Sequence, residues 1–330
     1  MAPPVLRIGL IGNGTVGAAF ASALAASSER IARRPPVRLR LTQVAVLHPD
    51  RHGATLGTAR VHDDAAALAA DPGVDVVVEA SGDPAAARWL RTALDRGAAA
   101  VSANKLAIAG DLWLLEALAR REPLFQCEAA VAAAVPIVRA LRDSLDCEEI
   151  HDIRGVLNGT TTYVISQIEK GARFEDALER ARERGYAEND ASADLSGRDA
   201  AAKLAILATL AWRRPVTVDQ VSTRGIDGNI VDVVRVSKAH GARVRLVAEA
   251  WQDGELHLTV APKALGAGDR LARAEGVTNV VEVRSALAGP LTWFGPGAGG
   301  QHTASALISD LLAAARTLTG TPVATGRHAA

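Results

Sequence analysis

Lysine is rare in this sequence, and one lysine lies in a segment where a proton-transferring group would be buried. Only five of the 37 basic residues are Lys, and the rest are Arg. Arginine stays protonated in proteins, whereas burial can lower the pKa of lysine until it exchanges protons near neutral pH. Lys203 lies in AAAKLAILATLAW (residues 200–212), which predicts a helix that is apolar on all sides and therefore buried. We therefore predict that Lys203 is a buried amine that can donate or accept a proton.

A buried ammonium group needs a partner, because burying it unpaired is costly. Asp199 lies four residues before Lys203, on the same face of the predicted helix. The preceding loop, GYAENDASADLSG, carries three more carboxylates, those of Glu188, Asp190 and Asp194. So acidic a loop suits a cationic amino-acid substrate. The alternative is structural: Ser196 and Asp199 form a capping box at the helix start, and Lys203 is a solvated companion of Asp199.

A glycine-rich turn near the amino terminus has a pattern that binds dinucleotides. It reads G-x-G-x-x-G and consists of Gly12, Asn13, Gly14, Thr15, Val16 and Gly17. The turn follows a predicted strand and opens a predicted helix, as the dinucleotide-binding fold requires. In that fold the first glycine makes the turn, the second lets backbone amides approach the pyrophosphate, and the third allows close helix packing. The helix N-terminus attracts the anion. A merely structural glycine turn is the alternative.

The end of the second predicted strand bears on which dinucleotide is bound. NAD enzymes usually have an acid there, which holds the 2′-hydroxyl of the ribose. This sequence has Leu47 and His48 at that point, followed by Arg51 and His52. Basic groups favour the 2′-phosphate of NADP, so we expect NADP or NAD as the cofactor, with NADP slightly favoured. An ordinary solvated loop, which also contains Asp50, is the alternative.

A second lysine follows a predicted parallel strand. Lys105 ends the segment VSANK (101–105), so it projects from the carboxyl edge of the sheet, where ligands of doubly wound folds bind. This position would bring a second amine close to the nicotinamide. A surface lysine that happens to follow a strand is the alternative.

The first part of the chain alternates strands with helices. The predicted strands are 5–11, 37–47, 75–80 and 98–103. The helices between them are clearest at 15–28 and 85–97. This alternation predicts an α/β fold, a dinucleotide-binding Rossmann domain with a parallel, doubly wound sheet over residues 1–130.

The second part has a different pattern. Helices cluster at 136–145, 161–170, 174–184 and 197–212. Runs typical of β-strands lie at 149–157, 243–251 and 255–261. Asp253-Gly254 joins the last two runs and indicates an antiparallel hairpin. We therefore expect an α+β domain for substrate binding and dimerisation over residues 131–300, and a last helix in 301–330 that packs back on the first domain.

The composition excludes several classes of partner. The chain has 330 residues, 48% of them hydrophobic, which suffices for two domains with their own cores. Lys plus Arg balances Asp plus Glu at 37 each, so the charge indicates neither a nucleic-acid partner nor an anionic membrane. The sequence has no apolar segment of membrane-spanning length and no signal-peptide pattern. Two cysteines without metal-binding spacing fit a reducing compartment, and we expect a cytoplasmic protein with a small-molecule substrate.

Together these motifs resemble the homoserine dehydrogenase family, in order and over nearly the whole chain. Besides the glycine-rich turn they are SANK (102–105), EAAV (128–131), LNGTTTY (157–163), GYAE (185–188), GRD (197–199) with Lys203, and GPGAGG (295–300) followed by Thr303 and Ala304. The stretch from Gly185 to Lys203 is the most specific. The resemblance implies a short form of the family, without a C-terminal regulatory domain, and a homodimer.

The resemblance further implies an NAD(P)-dependent oxidoreductase that interconverts L-homoserine and L-aspartate 4-semialdehyde in threonine, methionine and isoleucine biosynthesis. Lys203 would be the acid/base residue, and Lys105 would lie between cofactor and substrate. The substrate would be held by Glu188, Asp199, Asp194 and Tyr186. Further cofactor contacts would come from Ser81, Ser102, Gly185 and Gly299.

Members of the family also bind a sodium ion. This sequence departs from the family pattern in the loop of the sodium site and in the acidic substrate loop. The sodium ligands here would be the Glu128 side chain and the carbonyl groups of Val131, Ala133 and Val135. Ala132 and Ala134 stand where the family often has Gly, and Ala191 replaces a Pro in the acidic loop. Alanine strains a loop wherever the glycine it replaces has a positive φ, whereas loss of proline loosens the substrate loop.

Two other functions compete with this assignment. An aldehyde dehydrogenase acting on a similar acyl phosphate would need a nucleophilic cysteine with a nearby base. Cys127 ends an apolar run and Cys147 lies among acids, so we expect both to be structural. The second competitor is a nucleotide-sensing protein that lost its chemistry, and the presence of both lysines and of the acidic loop speaks against it.

Overall fold

The computed structural model describes residues 4–31, 37–51 and 56–320. The chain divides into two compact units. The first unit contains the described residues among Met1–Ala107, Arg120–Ala130 and Gly299–Ala330. The second contains Ile108–Ala119 and Val131–Ala298. The segment 108–119 thus groups with the second unit, although the sequence analysis includes it in the first domain.

The described part of the chain has strands and helices with the following bounds. The strands are β1 (Val5–Ile11), β2 (Arg38–Ala45), β3 (Arg60–His62), β4 (Val76–Glu79), β5 (Ala99–Ser102), β6 (Phe125–Gln126), β7 (Ile150–Val156), β8 (Ser222–Thr223), β9 (Arg243–Asp253), β10 (Glu255–Leu265), β11 (Thr278–Ser285) and β12 (Gly289–Pro296). The α-helices are α1 (Thr15–Ile31), α2 (Ala65–Ala70), α3 (Ala86–Asp95), α4 (Lys105–Ala109), α5 (Leu112–Ala119), α6 (Ile137–Arg139), α7 (Gly159–Glu169), α8 (Phe174–Glu183), α9 (Ser192–Leu195), α10 (Arg198–Trp212), α11 (Ile230–Ala239) and α12 (Gly300–Thr319).

The first unit is built on a single parallel sheet. Its strand order is β3-β2-β1-β4-β5-β6, so the predicted Rossmann-like α/β arrangement is confirmed. All four residues of β4 and of β5 are buried, as expected for strands of a parallel sheet covered on both faces. The helix α12 packs against α1, and both contribute side chains such as Phe20 and Leu307 to the core of this unit.

The second unit contains a mixed sheet in the order β12-β11-β7-β9-β10-β8. Its pairs are antiparallel except for β10 with β8. The predicted hairpin joins β9 to β10, and Gly254 at its turn has φ +93°, a conformation that favours glycine. The strands β11 and β12 were not predicted from the sequence. Pro290 and Pro296 lie near the two ends of β12, where they read as turns, and a sheet tolerates them there because β12 is an edge strand.

The helix α10 is buried over most of its length. Every residue from Asp199 to Leu210 is buried, in agreement with its predicted all-apolar character. The helix packs against β7, β9 and β10 and against α5. Gly197 precedes it with φ +83°, and no side chain caps its N-terminus. The capping box considered for Ser196 and Asp199 is therefore wrong.

The loop that follows the short 3₁₀ turn Glu128–Ala130 has an unusual backbone. Ala132 and Ala133 have φ values of +55° and +45°, which are uncommon for residues with a side chain. Ala134 is not among the residues with positive φ. Of the two alanines that stand where the resembling family often has glycine, only Ala132 is strained by its backbone conformation.

None of the helices in the described ranges is both long enough and apolar enough to cross a membrane.

We predict that Ala132→Gly stabilises the protein, because glycine adopts a positive φ without steric penalty. The left-handed conformation costs an L-residue about 1–2 kcal/mol, and the greater freedom of unfolded glycine offsets part of the gain. The free energy of unfolding in urea should therefore rise by about 0.5–1 kcal/mol. Ala134→Gly is the matched control, and it should leave that free energy unchanged or lower it. Equal effects of the two substitutions would show that the backbone at Ala132 is not strained.

Candidate active site

The ammonium group of Lys203 is held by two acceptors inside the second unit. Its Nζ donates hydrogen bonds to Asp199 Oδ2 at 2.7 Å and to the carbonyl oxygen of Leu157 at 2.7 Å. Lys203 is 7% exposed and Asp199 is 6% exposed. The buried amine and its pairing with Asp199 agree with the sequence analysis, and the alternative of a solvated Lys203 is wrong.

Asn158 joins the two carboxylates of this cluster. Its Nδ2 donates to Asp199 Oδ2 at 2.9 Å and to Asp194 Oδ1 at 2.6 Å. Its Oδ1 accepts from the backbone amide of Thr161, which makes Asn158 the N-cap of α7. Because the cap fixes the amide, both of its N–H groups are directed at the acids. The LNGTTTY motif was recognised in the sequence without this role, which depends on a contact across 41 residues of chain.

The arrangement of these groups changes the pKa of Asp194. Burial raises the pKa of Asp194, and the nearby charge of Asp199 raises it further. Hydrogen bonds from Asn158 and Thr160 and the charge of Lys203 act in the opposite direction without cancelling the rise. Thr160 Oγ1 lies 3.0 Å from Asp194 Oδ2 and 2.6 Å from the carbonyl oxygen of Tyr186, so it ties the acidic loop to α7.

The other predicted substrate residues lie outside this hydrogen-bonded cluster. Glu188 is exposed, and Asp190 accepts a hydrogen bond from the backbone amide of Ser192 in an exposed turn. Tyr186 is 39% exposed, and its ring packs edge-on against Tyr163 at 5.1 Å between centroids. The structure therefore brings Asp194, Asp199 and Lys203 together and leaves Glu188 at the surface of the same loop.

In the first unit, the glycine-rich turn has the features of a dinucleotide cradle. Gly12 has φ +89°, and a Cβ on it would lie 2.6 Å from the Ser81 backbone. A Cβ on Gly17 would overlap the carbonyl oxygen of Gly12. Gly14 is exposed, and a Cβ there would meet no atom within 4 Å. The first and third glycines are therefore required by packing, whereas the second leaves open space at the start of α1 for an anion.

A buried carboxylate that was not predicted from the sequence lies at the same edge of the sheet. Glu79 ends β4, is completely buried, and accepts hydrogen bonds from the backbone amide and hydroxyl of Ser81. Ser102, at the end of β5, donates to the second oxygen of Glu79 at 2.6 Å. The predicted cofactor residues Ser81 and Ser102 are thus fixed by Glu79. An acid that ends an otherwise apolar strand, as in DVVVEA, was the signal that could have revealed it.

The remaining predicted cofactor residues lie at the ends of helices. Lys105 begins α4 and is half-buried. Gly185 follows α8 with φ +70°, and Gly299 precedes α12 with φ +111°. The two glycines therefore lie at turns whose backbone conformation favours glycine. The contacts of Lys105, Gly185 and Gly299 with a cofactor stay predictions.

The basic residues expected near the ribose lie partly outside the described part of the chain. His48 and Arg51 are exposed around a single 3₁₀ turn, Pro49–Arg51, which follows β2. His52 lies outside the described residues. The two described side chains are accessible to a 2′-phosphate, and Asp50 in the same turn is exposed as well.

The predicted sodium ligands can be described one by one. Glu128 is buried, with 4% of its surface exposed, and it makes contacts of its own. The carbonyl oxygen of Val135 accepts a hydrogen bond from the amide of Ile137. Val131 and Ala133 are buried, and Ala133 has a positive φ. Sodium binding by these four residues stays a prediction.

The second-unit cluster combines the buried amine of Lys203 with carboxylates. An ammonium group has three N–H donors, and two of those of Lys203 go to Asp199 and Leu157. The third can serve an oxygen atom of a substrate. Asp194 and Asp199 can attract a cationic group of the same substrate. The arrangement can therefore bind an amino acid through its ammonium and move a proton to or from its hydroxyl.

Comparisons with known proteins agree over both parts of the chain. A family model described as homoserine dehydrogenase matches residues 136–312. A model described as the NAD-binding domain of homoserine dehydrogenase matches residues 12–131. Two relatives are a homoserine dehydrogenase of Pseudomonas aeruginosa (35% identity, covering 96% of this chain and 74% of the relative) and an NAD(+)-dependent homoserine dehydrogenase of Pseudomonas canavaninivorans (36% identity, covering 74% of this chain and 72% of the relative).

Solved structures give the same result. A homoserine dehydrogenase from Thiobacillus denitrificans superposes with a TM-score of 0.89 at 32% identity, covering 99% of this chain and 77% of that one. A hyperthermophilic archaeal homoserine dehydrogenase in complex with NADPH superposes with a TM-score of 0.79 at 26% identity, covering 97% and 99% of the two chains.

We predict that Asp194→Asn stabilises the ligand-free protein at pH values above the raised pKa of Asp194. An acid whose folded pKa is raised stabilises the fold below its unfolded pKa, and this contribution is lost as the pH rises through the folded pKa. Asp194 therefore loses this stabilisation as the pH rises through its raised folded pKa, whereas Asn never ionises. An Asn can keep both contacts, because its Oδ1 accepts from Asn158 while its Nδ2 donates to Thr160, whose hydroxyl then donates to the Tyr186 carbonyl. The difference in melting temperature between variant and wild type should grow as the pH rises through the folded pKa of Asp194. It should disappear as the pH falls below the unfolded pKa of aspartate, about 3.9.

Asp190→Asn is the control for this comparison. The pKa of Asp190 is lowered by hydrogen bonds from Ser192, which is the opposite direction. Its replacement should leave the melting temperature at pH 7 unchanged or lower. If Asp194→Asn lowered the melting temperature at every pH, the raised pKa of Asp194 would be contradicted.

Proposed function

The chain belongs to the homoserine dehydrogenase family, and from this premise we propose that Lys203 exchanges the proton when L-homoserine and L-aspartate 4-semialdehyde are interconverted. The chain is an NAD(P)-dependent oxidoreductase of that family. The observation that carries the role of Lys203 is its burial between Asp199 and the Leu157 carbonyl, which leaves one N–H of its ammonium for a substrate oxygen.

The proton moves in opposite senses in the two directions of the reaction. In oxidation, the neutral amine of Lys203 accepts the hydroxyl proton of homoserine. In reduction, its ammonium donates a proton to the oxygen of the aldehyde. The bound dinucleotide supplies the acceptor or donor of the hydride. Asp199 and the Leu157 carbonyl keep Nζ in one place during both transfers, which is the orientation that proton transfer needs.

The substrate ammonium is held by the acidic loop in this proposal. Asp194 and Asp199 supply negative charge in the buried cluster, and Glu188 supplies it at the surface of the loop. Thr160 supports the loop by donating to the Tyr186 carbonyl. Charge-assisted hydrogen bonds of this kind are stronger than neutral ones, so they select a cationic amino acid over a plain alcohol. Lys105, at the carboxyl edge of the parallel sheet, is proposed to contact both substrate and cofactor.

The dinucleotide is proposed to bind over Gly12–Gly17, with its pyrophosphate at the N-terminus of α1. The open space around Gly14 supports this placement, and Ser81 and Ser102 are proposed to contact the cofactor from the ends of β4 and β5. Relatives include both an NAD(+)-dependent enzyme and an NADPH complex, so the family allows either cofactor. We propose a slight preference for NADP, supported by the exposed His48 and Arg51 after β2.

A homodimer in the cytoplasm is the proposed setting, with no nucleic-acid or membrane partner. The edge strand β12 supports pairing of subunits, because Phe294 is 47% exposed on it. One face of the same sheet carries charges of both signs, including the ion pairs of Arg154 with Glu249 and Arg270 with Glu282. Such a face can meet a second copy of itself without net repulsion.

We predict that Lys203→Ala lowers kcat for homoserine oxidation by about 100-fold or more, because general acid/base catalysis contributes about 10²–10⁴. The cofactor should still bind, as its fluorescence on titration would show. Lys203→Arg should be nearly as slow, since a permanent cation cannot accept the proton. Lys238→Ala, which removes an exposed lysine of α11, is the control and should turn over normally. Near-normal turnover of Lys203→Ala would remove Lys203 from the mechanism.

We predict that Arg51→Ala lowers kcat/KM with NADP by roughly tenfold and changes kcat/KM with NAD little, because only NADP carries the 2′-phosphate. Initial rates of homoserine oxidation with each cofactor give the two ratios. Arg91→Ala, which changes an arginine of α3, serves as the control for general loss of positive charge. Equal losses with both cofactors, or a wild-type preference for NAD, would contradict the proposed cofactor choice.

A further inference from the structure

The carbonyl oxygen of Leu157 accepts two hydrogen bonds in the second unit. One comes from Lys203 Nζ, and the other comes from Asn279 Nδ2 at 3.1 Å. Asn279 lies on β11, 122 residues away from Leu157 along the chain, and it is completely buried. The acceptor that holds the proton-transferring amine is therefore itself held by a side chain from a different strand.

The other end of the Asn279 amide is not satisfied in the same way. Its Oδ1 is buried and has no hydrogen-bond partner among the described residues. Turning the amide over would place this oxygen against the Leu157 carbonyl oxygen, where two acceptors would repel each other, so the orientation is fixed. An apolar residue of the same size would avoid the cost of an unsatisfied acceptor. The presence of an asparagine at position 279 is therefore explained by the hydrogen bond that its Nδ2 donates to the Leu157 carbonyl.

A glycine holds the Asn279 amide from one side. Gly297 follows β12 and is buried, and a Cβ on it would overlap the carbon, oxygen and nitrogen of that amide. Its φ is not in the left-handed region, so the close approach and not the backbone conformation requires glycine here. The approach is consistent with the Gly297 amide, which donates to the carbonyl of Val277 just before β11.

We propose that Asn279 and Gly297 are positioning residues for Lys203. Gly297 fixes the plane of the Asn279 amide, Asn279 fixes the Leu157 carbonyl, and that carbonyl with Asp199 fixes Nζ. This inference rests on the proposed role of Lys203 in proton transfer. It gives Gly297 of the GPGAGG segment a structural role in the second unit that is separate from any contact with the dinucleotide.

Asn279→Ala should lower kcat for homoserine oxidation by roughly tenfold, because a misplaced proton acceptor slows the chemical step. The KM values for homoserine and for the dinucleotide should change less than about threefold, since neither is bound by Asn279. Asn279→Leu, which keeps the size of the side chain and removes only its polar atoms, should give the same result. A fall in kcat with either KM raised in proportion would point to damage of a binding site and contradict the proposal.

The decisive measurement combines Asn279→Ala with Lys203→Ala. If Asn279 acts through Lys203, its removal slows an enzyme that has Lys203 and leaves the residual rate of Lys203→Ala unchanged. A merely structural role would slow both enzymes by the same factor, and that outcome overturns the proposal. A failure of the proposed function looks different, because Lys203→Ala alone would then keep a near-normal rate.

Gly297 is tested by a second pair of variants. Gly297→Ala should lower kcat because the new methyl displaces the Asn279 amide, and Gly297→Ala with Asn279→Ala together should be no slower than Asn279→Ala alone, since the amide that clashes is gone. Gly228→Ala is the matched control, because a Cβ there meets no atom within 4 Å. If the effects of Gly297→Ala and Asn279→Ala multiplied instead, Gly297 would act independently of Asn279 and the positioning pair would be refuted.

Discussion

The ion pair of Lys203 with Asp199, buried at one end of α10, is the interaction on which the candidate site depends. A buried ion pair is weak evidence for stability, because removing two charges from water offsets their attraction, and apolar residues often serve the fold equally well. Removing only one partner is worse, since it leaves an uncompensated charge. The neighbouring groups Asn158, Leu157 and Asn279 each supply a hydrogen bond to the pair or to its acceptor. A contribution to stability therefore explains this buried ion pair less well than the proposed role of Lys203 in proton transfer.

The same cluster contains an unfavourable element, which is consistent with a binding site for a cation. Asp194 and Asp199 share the Nδ2 of Asn158, so two carboxylates lie close together in a poorly hydrated place. Their mutual repulsion contributes to the raised pKa of Asp194. In the proposed function, a substrate ammonium bound beside Asp194 and Asp199 would relieve this repulsion. Local instability of this kind is common where a protein has been selected for binding.

The sequence predicted those features that depend on local patterns. Periodicity gave the parallel sheet of the first unit, Asp253-Gly254 gave the β9–β10 hairpin, and the apolar run around Lys203 gave the buried helix. It did not give β12, whose ends read as turns, or the roles of Glu79, Asn158 and Asn279. Each of these side chains acts on a residue distant in sequence, and no single segment contains the information that they meet.

The glycine-rich segments show why motif recognition alone assigns too much to ligands. In Gly12–Gly17, a Cβ at the first or third glycine would strike the protein's own backbone, and only Gly14 has open space around it. In the second segment, Gly297 faces the Asn279 amide and Gly299 has a positive φ before α12, while a Cβ on Gly300 would lie 2.9 Å from the carbonyl of Thr15. Glycines that look alike in sequence are therefore required for different reasons: close packing, a positive φ, or space for a ligand. Since only the last of these concerns the cofactor, the number of glycines in a motif overstates its contacts with a dinucleotide.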